Sequence, residues 1–257
     1  MNILVTGGAG FIGSNLVERL INDSHRVSVI DNLSTGKREN LHKDAEFFEL
    51  DIAELTSIKP VFKDKYIVFH VAAIPRIGRS IEDPAGVFRS NVTGTLNVLL
   101  AARDNGVKRV VYSASSSAYG PQDRLPLFED MRPKPLNPYA LSKYIGEELC
   151  MEFTGLYGID TISLRYFNVY GPRTDPSGEY ATVISKFLRM KREGSPITIV
   201  GDGKQTRDFT HVSDIVEANI LASQIEKGAG EVVNIGAGDN HSVQEIADII
   251  GGEHVYV

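Results

Sequence analysis

The sequence contains no tryptophan and a single cysteine, Cys150, among its 257 residues. One cysteine excludes an intramolecular disulfide and a cysteine-rich metal site. The six histidines are scattered without the close spacing of a metal-binding motif, so no metal is predicted. No apolar run approaches the roughly 18 residues that a membrane-spanning helix needs, so we expect no membrane partner.

Basic residues are also in deficit. Lys and Arg number 27 against 33 Asp and Glu, a formal net charge of −6, and this balance argues against a nucleic-acid partner. The N-terminal residues form a strand-like segment without the basic region and cleavage site of a secretory signal. With 42% hydrophobic residues the chain can bury a substantial core. These features predict a cytoplasmic enzyme.

Short β-branched runs alternate with longer segments of helical periodicity over the first two-thirds of the chain. The predicted strands are Asn2–Thr6, Arg26–Asp31, Ala45–Asp51, Tyr66–Ala72, Arg109–Ser113 and Thr161–Tyr166. The predicted helices are Phe11–Ile21, Asp83–Asp104 and Pro138–Tyr157. Such alternation implies right-handed crossovers and a parallel sheet covered on both faces. The predicted fold class is therefore α/β, a doubly wound parallel (Rossmann) sheet with a small C-terminal substrate-binding region.

The first strand–helix junction carries three glycines, at positions 7, 10 and 13. This spacing allows a tight turn, close approach of the backbone to a pyrophosphate, and free N–H groups at the helix N-terminus. Asp31 ends the second strand 24 residues after Gly7, where a carboxylate accepts ribose hydroxyls of NAD and repels the 2′-phosphate of NADP. Lys37 and Arg38 would weaken that preference. The predicted cofactor is NAD, bound by Gly7, Gly10, Phe11, Ile12, Gly13, Asp31 and Asn32.

Two further segments are candidates for the NAD site. Asp51 and Ile52 follow the third strand, where the adenine would lie. The small residues Val71, Ala72 and Ala73 end the fourth strand and leave room for the cofactor. Both segments are equally compatible with ordinary core or turn residues. His70, within an apolar strand, is interpreted as a core histidine rather than a ligand.

Tyr139 and Lys143 lie four residues apart, directly after Pro138. With proline in the first turn of a helix, both side chains fall on one face. A lysine ammonium beside a phenol favours the phenolate and lowers the pKa of the tyrosine towards that of a general base. From the pair alone, a solvated helix face is the better interpretation. However, the hydroxyls of Ser113–Ser117 follow the fifth strand, at the sheet edge where ligands of such folds bind. Together the residues predict proton removal from a hydroxyl coupled to hydride transfer.

Several motifs in order resemble the extended short-chain dehydrogenase/reductases, and most closely the UDP-sugar 4-epimerases. The motifs are Thr6–Gly13, Asn91–Thr95, Ser113–Gly120, Tyr139 with Lys143, Arg165–Asn168 and Arg207–Phe209. The resemblance implies that Ser115, Tyr139 and Lys143 are catalytic and that Lys143 also holds the nicotinamide ribose. It places Asn91, Ser113 and Phe167 near the cofactor, and Ser116, Asn168 and Arg207 at a UDP-sugar. The alternative for Arg207 is a surface ion pair with Asp208 or Asp202.

The residues at positions 116 and 117, both serine here, distinguish the epimerases from enzymes with related activities. By the resemblance, nucleotide-sugar dehydratases carry an Asp-Glu pair at these positions and decarboxylases tend to carry a glutamate. The serines argue against dehydration and, less firmly, against decarboxylation. UDP-glucuronate 4-epimerase, a keto-sugar reductase and a non-catalytic NAD-sensing protein remain alternatives. Segments 115–120 and 175–181 look more like the members that accept N-acetylated sugars.

The organisation of the chain is predicted as an NAD-binding domain over residues 1–171 and a mainly substrate-binding region over 172–257, with 232–236 returning to the main sheet. In this second region we predict helices at Ala181–Arg192 and Val212–Gln224 and a strand at Ile197–Val200. Relatives of this family usually continue beyond the last residues here, so the C-terminus is expected to be incomplete. The resemblance also implies a homodimer, with Asp83–Asp104 and Pro138–Tyr157 as candidate interface helices, although their apolar stripes would equally face the sheet.

Overall fold

The computed structural model describes residues 1–176 and 182–257. Its strands in chain order are β1 (Asn2–Thr6), β2 (Arg26–Asp31), β3 (Glu46–Glu49), β4 (Ile67–His70), β5 (Arg109–Ser115), β6 (Asp160–Tyr166), β7 (Asn168–Tyr170), β8 (Ile197–Ile199), β9 (Thr206–Arg207), β10 (Phe209–His211), β11 (Glu231–Ile235), β12 (His241–Ser242) and β13 (His254–Tyr256). Its helices are α1 (Phe11–Asn22), α2 (Leu55–Ile58), α3 (Ile77–Glu82), α4 (Pro84–Phe88), α5 (Gly94–Asp104), α6 (Pro138–Tyr157), α7 (Val183–Arg192), α8 (Val212–Gln224) and α9 (Val243–Ile250). No helix in the described ranges is both long and apolar enough to cross a membrane.

Seven parallel strands form the central sheet, in the order β11-β6-β5-β4-β1-β2-β3. From β1 the chain moves outward through β2 and β3, then crosses to β4 on the other side of β1. The strand order therefore reverses between β1 and β4, and ligands of open α/β sheets bind at the carboxyl ends of strands at such a reversal. The predicted fold class is confirmed.

Apolar side chains alternate across β1, which explains its continuous hydrophobic run. Leu4 belongs to the core on one face, where α5 and α6 pack, and Ile3 and Val5 belong to the core on the other face, where α1 and α8 pack. A strand covered on both faces buries every residue and loses the polar alternation of a half-exposed strand. The sheet is thus held rigidly between two helical layers.

The predicted strands and helices differ from the observed ones mainly at their ends. The third and fourth strands are shorter than predicted, because the chain turns at Asp51, whose carboxylate accepts the Ala53 N–H at 2.9 Å, and after His70. The predicted helix over 83–104 is instead α4 and α5 joined by a π-helical turn over Arg89–Thr93. A π-helical turn adds one residue to a helix. The apolar residues around it still recur at three- and four-residue intervals, so the sequence pattern does not reveal the added residue. The sequence analysis also missed α2, α3, α9 and several two- and three-residue strands.

A C-terminal lobe, formed by α7, β8, β9, β12, α9 and β13, has a small core of its own. That core contains Phe187, Ile197, Ile199, Val243 and Ile246. In contrast, α8 packs on α1, and β11 pairs with β6 at the edge of the central sheet. The predicted helix 181–192 is described from Val183 onward, and residue 181 lies outside the described residues.

Candidate active site

The glycine-rich turn after β1 leads directly into α1. Gly10 is the N-cap of α1, and no described side chain caps the helix there. The N–H groups of Phe11, Ile12 and Gly13 at this terminus have no carbonyl partner within their own helix, and a helix N-terminus attracts a phosphate through such groups. A Cβ atom on Gly10 would meet only the Gly7 oxygen, at 3.2 Å, so its outer side is open to a ligand.

Gly7 and Gly13 allow the turn itself to close. Gly7 has a φ of +75°, and a Cβ atom on it would lie 2.6 Å from the backbone nitrogen of Ala72. A Cβ atom on Gly13 would lie only 2.1 Å from the Gly7 oxygen. The two glycines therefore bring α1, β1 and the end of β4 closer together than any side chain would permit.

Asp31, at the end of β2, receives two backbone hydrogen bonds. Oδ2 accepts the Ala9 N–H at 3.0 Å, and Oδ1 accepts the Leu33 N–H at 2.8 Å. Burial raises the pKa of this carboxyl, and the two N–H groups oppose the rise. Gly36 leaves the opposite side open, since a Cβ atom there would lie 2.9 Å from both Asp31 oxygens. Each oxygen keeps a free lone pair for a ribose hydroxyl, so the residues present fit NAD.

The two cations near Asp31 already have acidic partners. The Lys37 ammonium lies 4.0 Å from the Asp175 carboxylate, and Arg38 pairs with Glu49. A cation paired with a carboxylate is less available to a 2′-phosphate, but both pairs are exposed and such pairs are weak. The preference for NAD therefore rests mainly on Asp31.

Asp31→Asn is expected to lower the affinity for NAD roughly 10- to 100-fold, because a hydrogen bond to a charged group contributes about 1.5–3 kcal/mol. The discrimination against NADP should fall as well, because the charge that repels its phosphate is gone. Dissociation constants of both cofactors, measured by calorimetry, test this. Asp23→Asn, at the exposed end of α1, is the control, and unchanged NAD affinity in Asp31→Asn would contradict the assignment.

The predicted adenine-side residues have mixed surroundings. Asp51 pairs with Arg89, with Oδ2 and Nη1 2.7 Å apart. Burial acts to raise the pKa of Asp51, but the Ala53 N–H and Arg89 outweigh it and the pKa is lowered. The Ile52 side chain lies in the core, where a Cβ atom on Gly94 would come within 2.6 Å of it, and only the backbone of Ile52 remains for a ligand. Asn32 is exposed, and its side-chain oxygen accepts the Ser34 N–H.

Asn91, in the π-helical turn, is buried and fully hydrogen-bonded. Its side-chain oxygen accepts the Ile74 N–H at 2.7 Å, and its Nδ2 donates to the Ile74 oxygen at 3.1 Å and to the Ser142 hydroxyl at 3.0 Å. The Ser142 hydroxyl in turn donates to the backbone oxygen of Tyr139 at 2.8 Å. Asn91 therefore joins the segment after β4 to the helix that carries Tyr139. It supports the predicted cofactor site at Val71, Ala72 and Ala73 rather than offering a free amide.

His70 is a core histidine, as interpreted from the sequence. Its ring nitrogens lie 2.7 Å from the Thr6 hydroxyl and 2.9 Å from the Thr95 hydroxyl. Burial lowers the pKa of His70 to about 3, with the Lys143 charge as a smaller cause. The ring is therefore uncharged at neutral pH.

Tyr139 lies in the first turn of α6, where Asn137 caps the helix by accepting the Ala140 N–H at 2.9 Å. Burial raises the pKa of the Tyr139 phenol, and a hydrogen bond with Ser115 opposes the rise. The Ser115 hydroxyl lies 2.7 Å from that of Ser117, the last serine of the run predicted to lie at this sheet edge. Ser116, in the same turn, is half-buried. The structure thus brings the predicted serine and tyrosine together at the carboxyl end of β5.

Lys143 is buried one turn after Tyr139. Its ammonium donates to the Ser113 oxygen at 2.7 Å and lies 4.9 Å from the centre of the Tyr112 ring. Burial lowers the pKa of Lys143 to about 8. The predicted lowering of the Tyr139 pKa by Lys143 is not found, because the ammonium is directed at a backbone carbonyl and burial of the phenol has the larger effect.

A cleft of about 300 Å³ lies between the β7–β10 strand pair and the C-terminal lobe. Two predicted substrate residues, Asn168 and Arg207, both line it. Arg207 is exposed and donates to the Thr206 oxygen at 2.7 Å; within residues 1–176 and 182–257 it pairs with neither Asp202 nor Asp208. Phe167, also predicted, is half-buried beside β11, with its N–H donated to the Ile235 oxygen.

Phe209, the last residue of the motif Arg207–Phe209, also lines this cleft. The sequence did not point to the other wall residues, which include Thr182, Val183, Ile184, Gln205 and Val243. They come from three separated segments and carry no motif, so only the fold brings them together. Of the segment compared with N-acetyl-sugar enzymes, residues 177–181 lie outside the described residues.

Comparison with known proteins agrees with this geometry. The family model "NAD dependent epimerase/dehydratase family" matches residues 3–236. A putative UDP-glucose 4-epimerase of Methanocaldococcus jannaschii is 45% identical over 254 residues, 98% of this chain and 82% of the relative. A UDP-N-acetyl-alpha-D-glucosaminuronate decarboxylase of Bacillus cytotoxicus is 40% identical, over 96% of this chain and 78% of the relative. The UDP-glucose 4-epimerase of Thermus thermophilus, solved with NAD, superposes with a TM-score of 0.91 at 37% identity, over 99% of this chain and 85% of that one.

The fold and the site define an NAD-dependent α/β enzyme of the extended short-chain dehydrogenase/reductase class. The reversal of strand order in the sheet and the glycine-rich turn after β1 support this assignment. The chain belongs to the NAD-dependent epimerase/dehydratase family, and its cofactor is NAD.

Proposed function

We propose that the protein interconverts the C4 epimers of a UDP-sugar, either the glucose/galactose pair or the N-acetylated pair. The observation that carries the proposal is the position of Ser115 and Tyr139, whose side chains interact at the carboxyl end of β5. The residues that fit NAD follow neighbouring strands of the same sheet, and a separate cleft holds the exposed Arg207. The related epimerases reported above support it.

In the proposed reaction Tyr139 removes the proton from O4 of the sugar as a phenolate, which the positive charges of Lys143 and of bound nicotinamide would favour over the neutral phenol that burial favours. Ser115 hydrogen-bonds the same oxygen. NAD, held by the glycine-rich turn and Asp31, would supply the acceptor and donor of the C4 hydride. The 4-keto sugar turns over within the site, and Tyr139 returns the proton as the other face is reduced. Lys143 holds the nicotinamide ribose and keeps a positive charge beside the reacting oxygens. The protein needs no added oxidant, because the cofactor ends each cycle as it began.

The cleft is proposed to hold the nucleotide diphosphate. Arg207 supplies a planar guanidinium that suits two phosphate oxygens, and Asn168 supplies an amide beside it. The apolar wall formed by Val183, Phe209 and Val243 leaves room for the flat uracil ring. Binding energy from this remote end positions C4 near Tyr139.

Dehydration and decarboxylation are the activities that the site disfavours. Both need an additional acid or base in the turn after β5, where this chain has Ser116 and Ser117. A hydroxyl does not supply that chemistry at neutral pH. The similarity to the Bacillus cytotoxicus decarboxylase therefore does not change the proposed activity. UDP-glucuronate 4-epimerase is the second candidate, because it uses the same Ser115, Tyr139 and Lys143.

The proposal is tested by incubating the protein, without added cofactor, with UDP-glucose, UDP-galactose, UDP-N-acetylglucosamine and UDP-glucuronate. Proton NMR then detects the C4 epimer of each sugar. An epimer establishes both the reaction and the retained NAD, and the sugar that reacts fastest gives the specificity. Folded protein that binds NAD and converts none of the four would refute the proposal. Product formation only with added NADPH would indicate a keto-sugar reductase.

Arg207→Met is expected to raise KM for the UDP-sugar about 100-fold and to change kcat much less, because a charge-assisted contact with phosphate is lost at a distance from C4. Initial rates over a range of substrate concentrations test this. Arg192→Met, exposed near the end of α7, is the matched control. Equal loss of kcat and no change in KM would place Arg207 elsewhere in the reaction.

We also propose a cytoplasmic homodimer. Large apolar side chains between residues 84 and 104 are not exposed, whereas α6 exposes Leu141, Leu156 and Tyr157. Of the two candidate helices, α6 is thus the better supported interface. The cytoplasmic location is supported by the single thiol, Cys150, which is buried and needs no oxidising compartment. Light scattering of the purified protein measures the oligomeric state.

A further inference from the structure

Three charged side chains on α6 and β6 are buried. Lys143, Glu147 and Arg165 are only 4%, 0% and 3% exposed. Lys143 and Glu147 are one turn apart on α6, so their side chains lie on the same face of the helix. A buried ion pair is often no more stable than apolar residues of the same volume, so its presence beside a reactive group calls for a functional reason.

Arg165, on β6, fixes the carboxylate of Glu147. Nε donates to Oε1 at 3.0 Å and to Oε2 at 3.2 Å, and Nη2 donates to Oε2 at 2.6 Å. The guanidinium also lies over the Tyr119 ring, 4.5 Å from its centre. Burial raises the pKa of the Glu147 carboxyl, and the hydrogen bonds and positive charge of Arg165 oppose the rise. Arg165 therefore holds Glu147 in place and favours its carboxylate form.

The other titratable groups that face Lys143 are uncharged at neutral pH. His70, on β4, has its pKa lowered to about 3 by burial, and Cys150, on α6, has its pKa raised to about 12 by burial. Burial likewise raises the pKa of the phenols of Tyr112 and Tyr139. The charged side chains of the remaining elements packed on α6 point to the surface: Arg79, Glu82, Arg89, Arg103 and Asp104. Among the described groups around the Lys143 ammonium, Glu147 is thus the source of negative charge.

We propose that Glu147 is a positioning residue, whose carboxylate, held by Arg165, is the counter-charge that keeps Lys143 protonated in the working enzyme. The link to catalysis rests on the proposed function, in which Lys143 acts as a cation. The charge state of Lys143 itself is independent of the substrate and is measured without it.

Glu147→Gln is expected to lower the pKa of Lys143 from about 8 by about one unit, because a buried ammonium loses its opposite charge. Carbon-13 NMR of protein labelled at the lysine side chains follows the titration, and Lys143→Met identifies the signal. The alkaline limb of the activity profile should move down by the same amount. Activity is retained below the pKa and lost as pH rises through it, so the variant fails at a lower pH than the native protein.

Three further variants separate charge from packing. Glu147→Asp keeps the carboxylate and should restore most of the Lys143 pKa. Glu152→Gln removes an exposed acid from the same helix and should leave it unchanged. The double variant Glu147→Gln/Arg165→Met removes the buried guanidinium that Glu147→Gln alone would leave unpaired. It keeps the test available if Glu147→Gln does not fold, and it should also lower the Lys143 pKa.

An unmoved Lys143 titration in a folded Glu147→Gln or double variant would overturn the proposal and leave the pair a purely structural role. Failure of the protein to epimerise any UDP-sugar would not affect this titration. The two proposals can therefore fail separately.

Discussion

Replacing Tyr139 with Phe is expected to slow C4 epimerisation by at least about 1000-fold, within the range that general acid–base catalysis contributes. In the proposed reaction the phenol is the group that takes the O4 proton. Its ring remains in the variant, so the packing of α6 should be kept. Rates of epimer formation by NMR give the loss, and the amount of NAD released on denaturation shows whether the cofactor site is intact.

The matched control is Tyr157→Phe, on the same helix. Tyr157 is exposed, and its ring contacts with Phe153 and Arg103 do not use the hydroxyl. This variant should be as active as the native protein. If Tyr139→Phe retained more than a tenth of the native rate with NAD bound, another group would have to be the base, and the proposed mechanism would be wrong.

Replacing Gly13 with Ala should cost about 3 kcal/mol or more in the free energy of unfolding and abolish NAD retention. The added methyl group would lie 2.1 Å from the Gly7 oxygen, and backbone cannot move aside as a flexible side chain can. Overpacking of a close contact costs about 1–3 kcal/mol even where neighbours adjust. Urea unfolding measures the stability, and absorbance of the purified protein measures bound NAD.

Gly155→Ala is the opposite case within α6. No atom lies within 4 Å of a Cβ atom at that position. Alanine there should stabilise the protein by about 0.5–1 kcal/mol, because glycine has the lower helix propensity. If both variants lost stability equally, the contact between Gly13 and Gly7 would not be the reason for the glycine.

The sequence predicted those parts of the fold that depend on local pattern. The strands of the central sheet are continuous apolar runs because both faces are covered, and α1 and α6 have clear helical periodicity. The π-helical turn between α4 and α5 was missed, because its residues keep helical spacing. Its Asn91 contacts Ile74 and Ser142, which the sequence pattern does not bring together. The C-terminal lobe was predicted only in outline, since its strands have two or three residues and take their structure from their partners.

The residues of the candidate site also fall into two groups: those that the sequence pattern predicts and those that only the folded chain brings together. The glycine spacing, Asp31 and the Tyr139–Lys143 pair are recognisable because each depends on neighbours in one or two adjoining elements. The cleft residue Gln205, the counter-ion Glu147 and the open side above Asp31 at Gly36 depend on distant segments that meet only in the folded chain. The pKa of Tyr139 was predicted in the wrong direction, because sequence reveals the nearby lysine but neither the burial of the phenol nor the carbonyl of Ser113 that binds the ammonium.

The path of the chain through the molecule limits how it can be re-engineered. It leaves the central sheet after β6, returns for α8 and β11, and leaves again towards α9. A chimaera that took its sugar specificity from a relative would therefore need three junctions, after residues 166, 211 and 235, rather than one. A fragment ending at residue 171 would expose β6 as an unpaired edge and remove the cover of α1, which invites aggregation. To exchange the C-terminal lobe, both segments taken from the relative must fit the rest of this protein at the same time.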